Sequence, residues 1–94
     1  LRLKSTKDGA LSELQVVGMF AAIGHTPNTA FLRGKLEMND KGYIRWTTPF
    51  RTYTSVEGVF AAGDVRLGST KQAASAVGEG ATVALMVREY LKTI

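Results

Sequence analysis

Gly58 to Ala73, GVFAAGDVRLGSTKQA, is the stretch that most limits what this chain can fold into. Val59-Phe60-Ala61-Ala62 is a short, fully apolar strand bounded by turns at Glu57-Gly58 and Gly63-Asp64. A long helix follows, predicted from about Thr70 to Lys92: Ala73, Val77, Ala81, Ala84, Val87 and Leu91 recur at spacings of three and four and share one face. Ser69 and Gln72 have the spacing of a capping box at its start. A buried strand therefore delivers an acid, Asp64, at its carboxyl end, and a short loop leads on to a helix N-terminus. Ligands of open α/β sheets bind at that place. A carboxylate there accepts hydrogen bonds from sugar or polyol hydroxyls, and Gly63 lets a ligand come near the backbone. The unpaired amides of the helix suit an anion or an electron-rich carbonyl. Read from its residues alone, the unit is either an ordinary turn, as a Gly-Asp after an apolar strand commonly is, or a place in an α/β fold that holds a long, hydroxylated, partly anionic ligand.

The rest of the chain supplies strands and turns. Arg2 to Thr6 reads as a short strand before a turn at Asp8-Gly9. Glu13 to Gly24, ELQVVGMFAAIG, passes from partly polar to fully apolar and ends at glycine, as a strand does on entering the buried middle of a sheet. His25-Thr26-Pro27-Asn28-Thr29 is a loop, because Pro27 has no amide donor and restricts Thr26 to extended geometry. Lys35–Met38 and Tyr43–Thr47 form a hairpin over Asn39-Asp40-Lys41-Gly42, with Ile44 and Trp46 on one face and Tyr43 and Arg45 on the other. Gly78 and Gly80 each cost a helix about 1 kcal/mol relative to Ala, which predicts a close approach or a bend at that backbone.

The absence of cysteine removes disulfides, thiol nucleophiles, redox C-x-x-C pairs and thiolate zinc sites from this segment, and a single histidine removes His-cluster metal sites. The longest apolar run, Val16 to Ile23, is far short of the roughly 18–20 residues that span a bilayer. The net charge of +4 is spread as +2 over residues 1–34, +1 over 35–57 and +1 over 58–94, which leaves no basic block for a nucleic acid. The start, Leu1-Arg2-Leu3-Lys4, lacks both a Met and a signal-peptide pattern and leads to the expectation of a piece of a longer chain. His25 has no partner in view and reads as structural or surface. Trp46, Tyr43, Tyr53 and Tyr90 read as packing residues, and Met19, Met38 and Met86 as core fillers.

Two motifs in order carry a resemblance that covers essentially the whole chain. Ala21-Ala22-Ile23-Gly24-His25-Thr26-Pro27-Asn28-Thr29 precedes Thr54-Ser55-Val56-Glu57-Gly58-Val59-Phe60-Ala61-Ala62-Gly63-Asp64-Val65, with Lys71-Gln72-Ala73 and a glycine-containing helix ending in Arg88-Glu89-Tyr90-Leu91 behind them. This pattern resembles the C-terminal portion of the two-dinucleotide-domain flavoprotein disulfide reductases, above all the low-molecular-mass thioredoxin reductases. The resemblance implies an α/β, Rossmann-like fold with FAD- and NAD(P)-binding domains. Residues 1–24 would be the last strands of the NADPH-binding domain and the crossover, and 25–94 the C-terminal half of the FAD-binding domain. It implies FAD as cofactor, held here by Gly63, Asp64, Val65, Lys71, Gln72 and Ala73. Asp64 would take a ribitol hydroxyl, and the last three would lie at the helix start beside the isoalloxazine. It further implies an NADPH site and a redox C-x-x-C upstream, thioredoxin or a similar redox protein as partner, and a cytoplasmic homodimer that uses neither nucleic acid nor membrane.

Two positions depart from the family pattern: Lys71 stands where Arg is frequent, exchanging a planar fork for a point charge, and Glu57 stands where Pro is frequent. No catalytic residue is expected within the segment, and the segment alone is not expected to turn over. The other readings are a ferredoxin or flavodoxin–NADP reductase of the same fold without a dithiol, and a non-catalytic partner-contact module. A half domain leaves sheet edges and apolar strands uncovered, so the isolated chain is expected to be marginally stable.

Overall fold

Two antiparallel strands open the chain in the computed structural model, which describes residues 1–94. β1 (Arg2–Lys4) pairs with β2 (Leu11–Glu13), Arg2 lying opposite Glu13 and Lys4 opposite Leu11. The turn between them forms where Asp8-Gly9 predicts it: Gly9 has φ +75° and its amide donates to the Ser5 carbonyl at 3.0 Å. Asp8 accepts the Ala10 amide at 2.9 Å, and that bond is the chief reason its carboxyl is held below the usual range.

The apolar run that follows is not a buried strand. Regular pairing ends at Glu13, and the residues up to Gly24 have no repeating structure. Phe20 and Ile23 are 100% and 92% exposed. The physical reason is the lack of a partner: β1 offers only three residues and is consumed by β2, so no second strand or helix of this chain reaches the run.

From Thr29 onward the chain folds back on itself. A 3-10 turn over Ala30–Leu32 leads into the predicted hairpin, which is present as a narrow ladder: Met38 bridges Ile44, the Asn39 amide donates to the Tyr43 carbonyl at 2.9 Å, and the Arg45 amide donates to Glu37 at 3.1 Å. The Asn39 side chain builds the turn by accepting from the Lys41 and Tyr43 amides. Gly42 is buried with φ +91°, and a Cβ there would lie 3.0 Å from the Thr29 hydroxyl, so only glycine fits. The predicted strand over Val59–Ala62 is likewise reduced to one antiparallel bridge, Tyr53 to Phe60, flanked by Ala61 amide to Thr52 carbonyl at 3.0 Å. Ile44 then bridges Arg66 in parallel fashion, donating to the Val65 carbonyl and accepting from the Leu67 amide. These short pairings centre on the buried residues Ile44 and Ala61.

Helix α1 (Ala73–Leu91) starts later than the periodic pattern predicts. Gln72 is its N-cap without a side-chain cap bond, so the expected capping box is not formed. Ser69 Oγ instead accepts the Lys71 amide at 3.0 Å, closing a local turn in which Lys71 takes φ +55°. The buried face also differs from the predicted one. Met86 is buried, with Ala76, Glu79, Val83, Val87 and Tyr90 half-buried around it, whereas Ala73, Val77, Ala81, Ala84 and Leu91 face solvent and Val77 is 74% exposed. Polar and aromatic anchors fix this rotation: Glu79 is bound at the Gly63 turn and Tyr90 packs edge-on against Phe60 at 6.1 Å between centroids. Gly78 and Gly80 fall on the open side, where a Cβ at either would meet nothing within 4 Å. No close approach occurs at them within this chain.

Eight residues are buried in all, and the radius of gyration is 19.4 Å with a long axis of 63 Å. A compact chain of this length has a radius of gyration of about 12 Å. No helix is long and apolar enough to cross a membrane.

Candidate functional site

The turn at Gly63-Asp64 is held by the helix it precedes. Gly63 is buried with φ +87°, a backbone angle that a side-chain-bearing residue rarely adopts, and its amide donates to Glu79 Oε1 at 3.0 Å. Arg66 grips the same carboxylate with two bonds, Nε to Oε1 at 3.0 Å and Nη2 to Oε2 at 2.8 Å, a bidentate pair on side chains that are 18% and 13% exposed. The Arg66 guanidinium lies 3.9 Å from the centroid of the Trp46 ring, and the Trp46 indole N–H donates to the Ala61 carbonyl at 2.8 Å. Trp46 is thus a packing residue, as its place in the hairpin predicts. The Glu79 carboxyl is held below its usual range, first by the Arg66 hydrogen bonds, with burial opposing and the Gly63 amide adding to the effect.

With its amide tied down, this turn presents exposed Asp64 to a cleft of about 230 Å³. Val65 and Lys71 line the cleft from the same segment, and His25, Thr26, Pro27 and Asn28 line it from the first motif. The two motifs meet because Thr29, just past that loop, is buried and donates its hydroxyl to the Gly42 carbonyl at the hairpin turn, while Ile44 in the same hairpin pairs with Val65. Tyr43 completes the lining, and the Lys71 ammonium sits 4.5 Å from the centroid of its ring. An acceptor carboxylate, an ammonium, a hydroxyl, a carboxamide and a phenol share one opening. One residue beyond Lys71, the first backbone bond of α1 runs from the Ala76 amide to the Gln72 carbonyl, leaving the earlier first-turn amides without an intrahelical acceptor.

Of the six residues singled out from sequence, Asp64, Val65 and Lys71 line the cleft together. Gly63 lies beneath it as the buried pivot, Gln72 caps the helix, and Ala73 begins it, both exposed outside the cleft lining. Lys71 stands before the helix rather than in its first turn. His25 and Tyr43, read from the sequence as structural and packing residues, both line the cleft. Arg66 and Glu79 stand out in no motif of the sequence, yet they hold the turn. A signal was available: Glu79 is a lone acid in the middle of an otherwise uncharged helical stretch, flanked by two glycines. A larger hollow of about 450 Å³ lies between the Tyr53–Phe60 segment and the C-terminal end of α1, floored by aromatic rings. Asp64, Lys71 and the Gly24–Asn28 loop do not reach it, so size does not mark it as the site.

Residues 2–80 match the pyridine nucleotide-disulphide oxidoreductase family. The chain belongs to that family. Among curated relatives, it is 48% identical over all 94 residues to thioredoxin reductase 2 of Arabidopsis thaliana and 42% identical over 94 residues to thioredoxin reductase of Streptomyces clavuligerus. It spans only 24% and 29% of their lengths. A solved thioredoxin reductase from Giardia duodenalis superposes with a TM-score of 0.76 at 38% identity, covering 97% of this chain and 30% of that one. The fold is therefore of the Rossmann type found in dinucleotide-binding flavoproteins, and the expected family resemblance is established.

Proposed function

We propose that the chain is a segment of an FAD-dependent NADPH:thioredoxin-disulfide reductase and contributes part of the FAD site. In this reading residues 1–24 end the NADPH-binding domain and cross back, and residues 25–94 form the second half of the FAD-binding domain. The observation that carries it is the cleft in which Asp64 and Lys71 meet the Thr26-Pro27-Asn28 loop. The relatives named above are thioredoxin reductases, which favours this reading over a ferredoxin-type reductase or a non-catalytic module.

The donor set fits the group. Exposed Asp64 is an acceptor for ribityl hydroxyls, and Gly63 keeps the backbone beside it free of a side chain. Lys71 and the nearby helix start provide positive charge, which favours an electron-rich ring system. Bound FAD supplies two-electron redox chemistry that no side chain of this segment has. The residues here bind and orient it, while the backbone pairing of Ile44 with Val65 and the Trp46–Ala61 hydrogen bond hold the segments that carry them. A thioredoxin-like protein as acceptor, a homodimer and a cytoplasmic location belong to the same proposal.

The test is to purify the full-length protein that contains this segment. It is expected to carry the visible absorption of a bound flavin and to reduce thioredoxin disulfide with NADPH. A protein that takes up no flavin would refute the reading; one that takes up flavin and reduces ferredoxin instead would replace it with the runner-up.

A further inference from the structure

Asp64 binds a hydroxyl well only if the turn that carries it is fixed, and the fixing is done from the helix. One carboxylate, on Glu79, holds both the Gly63 amide and the Arg66 guanidinium, so the residues on either side of Asp64-Val65 are bound to the same group and share its Oε1. The guanidinium is held in turn by the Trp46 ring against its face and by the Leu67 carbonyl, which accepts from Nη1 at 3.1 Å. Trp46 closes the circuit by donating to Ala61, two residues before Gly63 in the segment that enters the turn. A four-residue turn held at both ends by one half-buried acid has little freedom to shift.

We propose that Glu79 is a positioning residue of the cofactor site: through Gly63 and Arg66 it sets the Asp64 turn for its ligand without touching that ligand. The inference rests on the FAD reading above. Removing the acid leaves the Gly63 amide and the Arg66 charge unpartnered in a largely buried place, which is costly to the turn. Replacing it by Gln keeps an acceptor for Gly63 while losing the charge that Arg66 pairs with.

The experiment uses the full-length flavoprotein with Glu79→Ala, Glu79→Gln and Asp64→Asn, and Glu37→Gln as a control in the exposed pair with Arg45. FAD affinity of the refolded apoprotein is measured by quenching of flavin fluorescence, and hydrogen exchange is followed in the peptide covering residues 62–66. Glu79→Ala is expected to weaken FAD about tenfold, or about 1.4 kcal/mol, and to speed exchange at Gly63. Glu79→Gln should recover most of that loss, and Glu37→Gln should change nothing. A purely structural role would lower the unfolding temperature of the apoprotein and leave the affinity of the folded fraction unchanged, which overturns the proposal. Should Glu79→Ala not fold, wild-type FAD affinity with slow Gly63 exchange in Arg66→Met overturns it as well. Loss of affinity in Asp64→Asn without any change in the Glu79 variants defeats the positioning role alone. No change in Asp64→Asn, or no flavin in the parent protein, defeats the FAD reading and this inference together.

Discussion

Two apolar runs end in glycine, Val16–Gly24 and Val59–Gly63, and they come to opposite fates. The second is paired with Thr52–Thr54, covers Ala61, and delivers Gly63 to a carboxylate on the helix. The first stands open, with Phe20 and Ile23 in solvent. Their sequences are equally apolar, so composition does not separate them. What separates them is whether a partner lies within reach in the same chain: Thr52 is eight residues before Phe60, whereas β1 pairs with Leu11–Glu13 alone, Arg2 lying opposite Glu13, and no other strand of this chain lies beside the run. Burial belongs to pairs of segments, and a run without its pair is only a demand for one.

That contrast can be broken where it matters most. If the proposed longer reductase covers this run with another of its segments, Phe20→Ala is expected to cost about 3–5 kcal/mol in the full-length protein, while in the 94-residue chain the same change should leave the circular dichroism spectrum untouched. Equal, small effects in both would mean that the run is exposed by nature. Ile44→Ala strikes the region that has its partners; chemical denaturation of the full-length protein should show a loss of about 2–4 kcal/mol.

A third prediction concerns pH. The Glu79 carboxyl is lowered in the folded state from its ordinary 4.5, chiefly by Arg66. A group of this kind contributes stability that is fully present above 4.5 and is lost as pH falls through the lower folded value. Urea unfolding of the full-length protein across that window should therefore lose stability more steeply in the parent than in Glu79→Gln, with the two converging at the acid end. The smallest effect is at Gly78. Its Cβ position is open in this chain, so Gly78→Ala should raise the helicity of the 94-residue chain, by about 1 kcal/mol of helix propensity. The opposite sign in the full-length protein would identify the helix face that a second segment approaches.

Local signals were legible in the sequence. Asp8-Gly9 marks its turn, Asn39 to Gly42 marks the hairpin, and the strand-to-acid-to-helix order of Gly58–Ala73 marks the site. Two things were not. The rotation of α1 follows from Glu79 and Tyr90 finding partners in the turn and the Phe60 strand, contacts that a periodic apolar pattern does not encode. The failed capping box has a similar origin, since Ser69 is engaged by the Lys71 amide before it can serve the helix. The cleft itself is a long-range product: Thr29 to Gly42 and Ile44 to Val65 draw together motifs about forty residues apart. Each motif is visible alone, but their meeting depends on the hairpin between them.

The proposed flavin site is best tested by a crystal structure of the full-length protein grown with FAD. An Asp64 carboxylate oxygen is expected at hydrogen-bond distance, about 2.5–3.0 Å, from a ribityl hydroxyl, with Lys71 and the Pro27-Asn28 loop against the same molecule. A flavin bound elsewhere, with Asp64 open to bulk water, would contradict it.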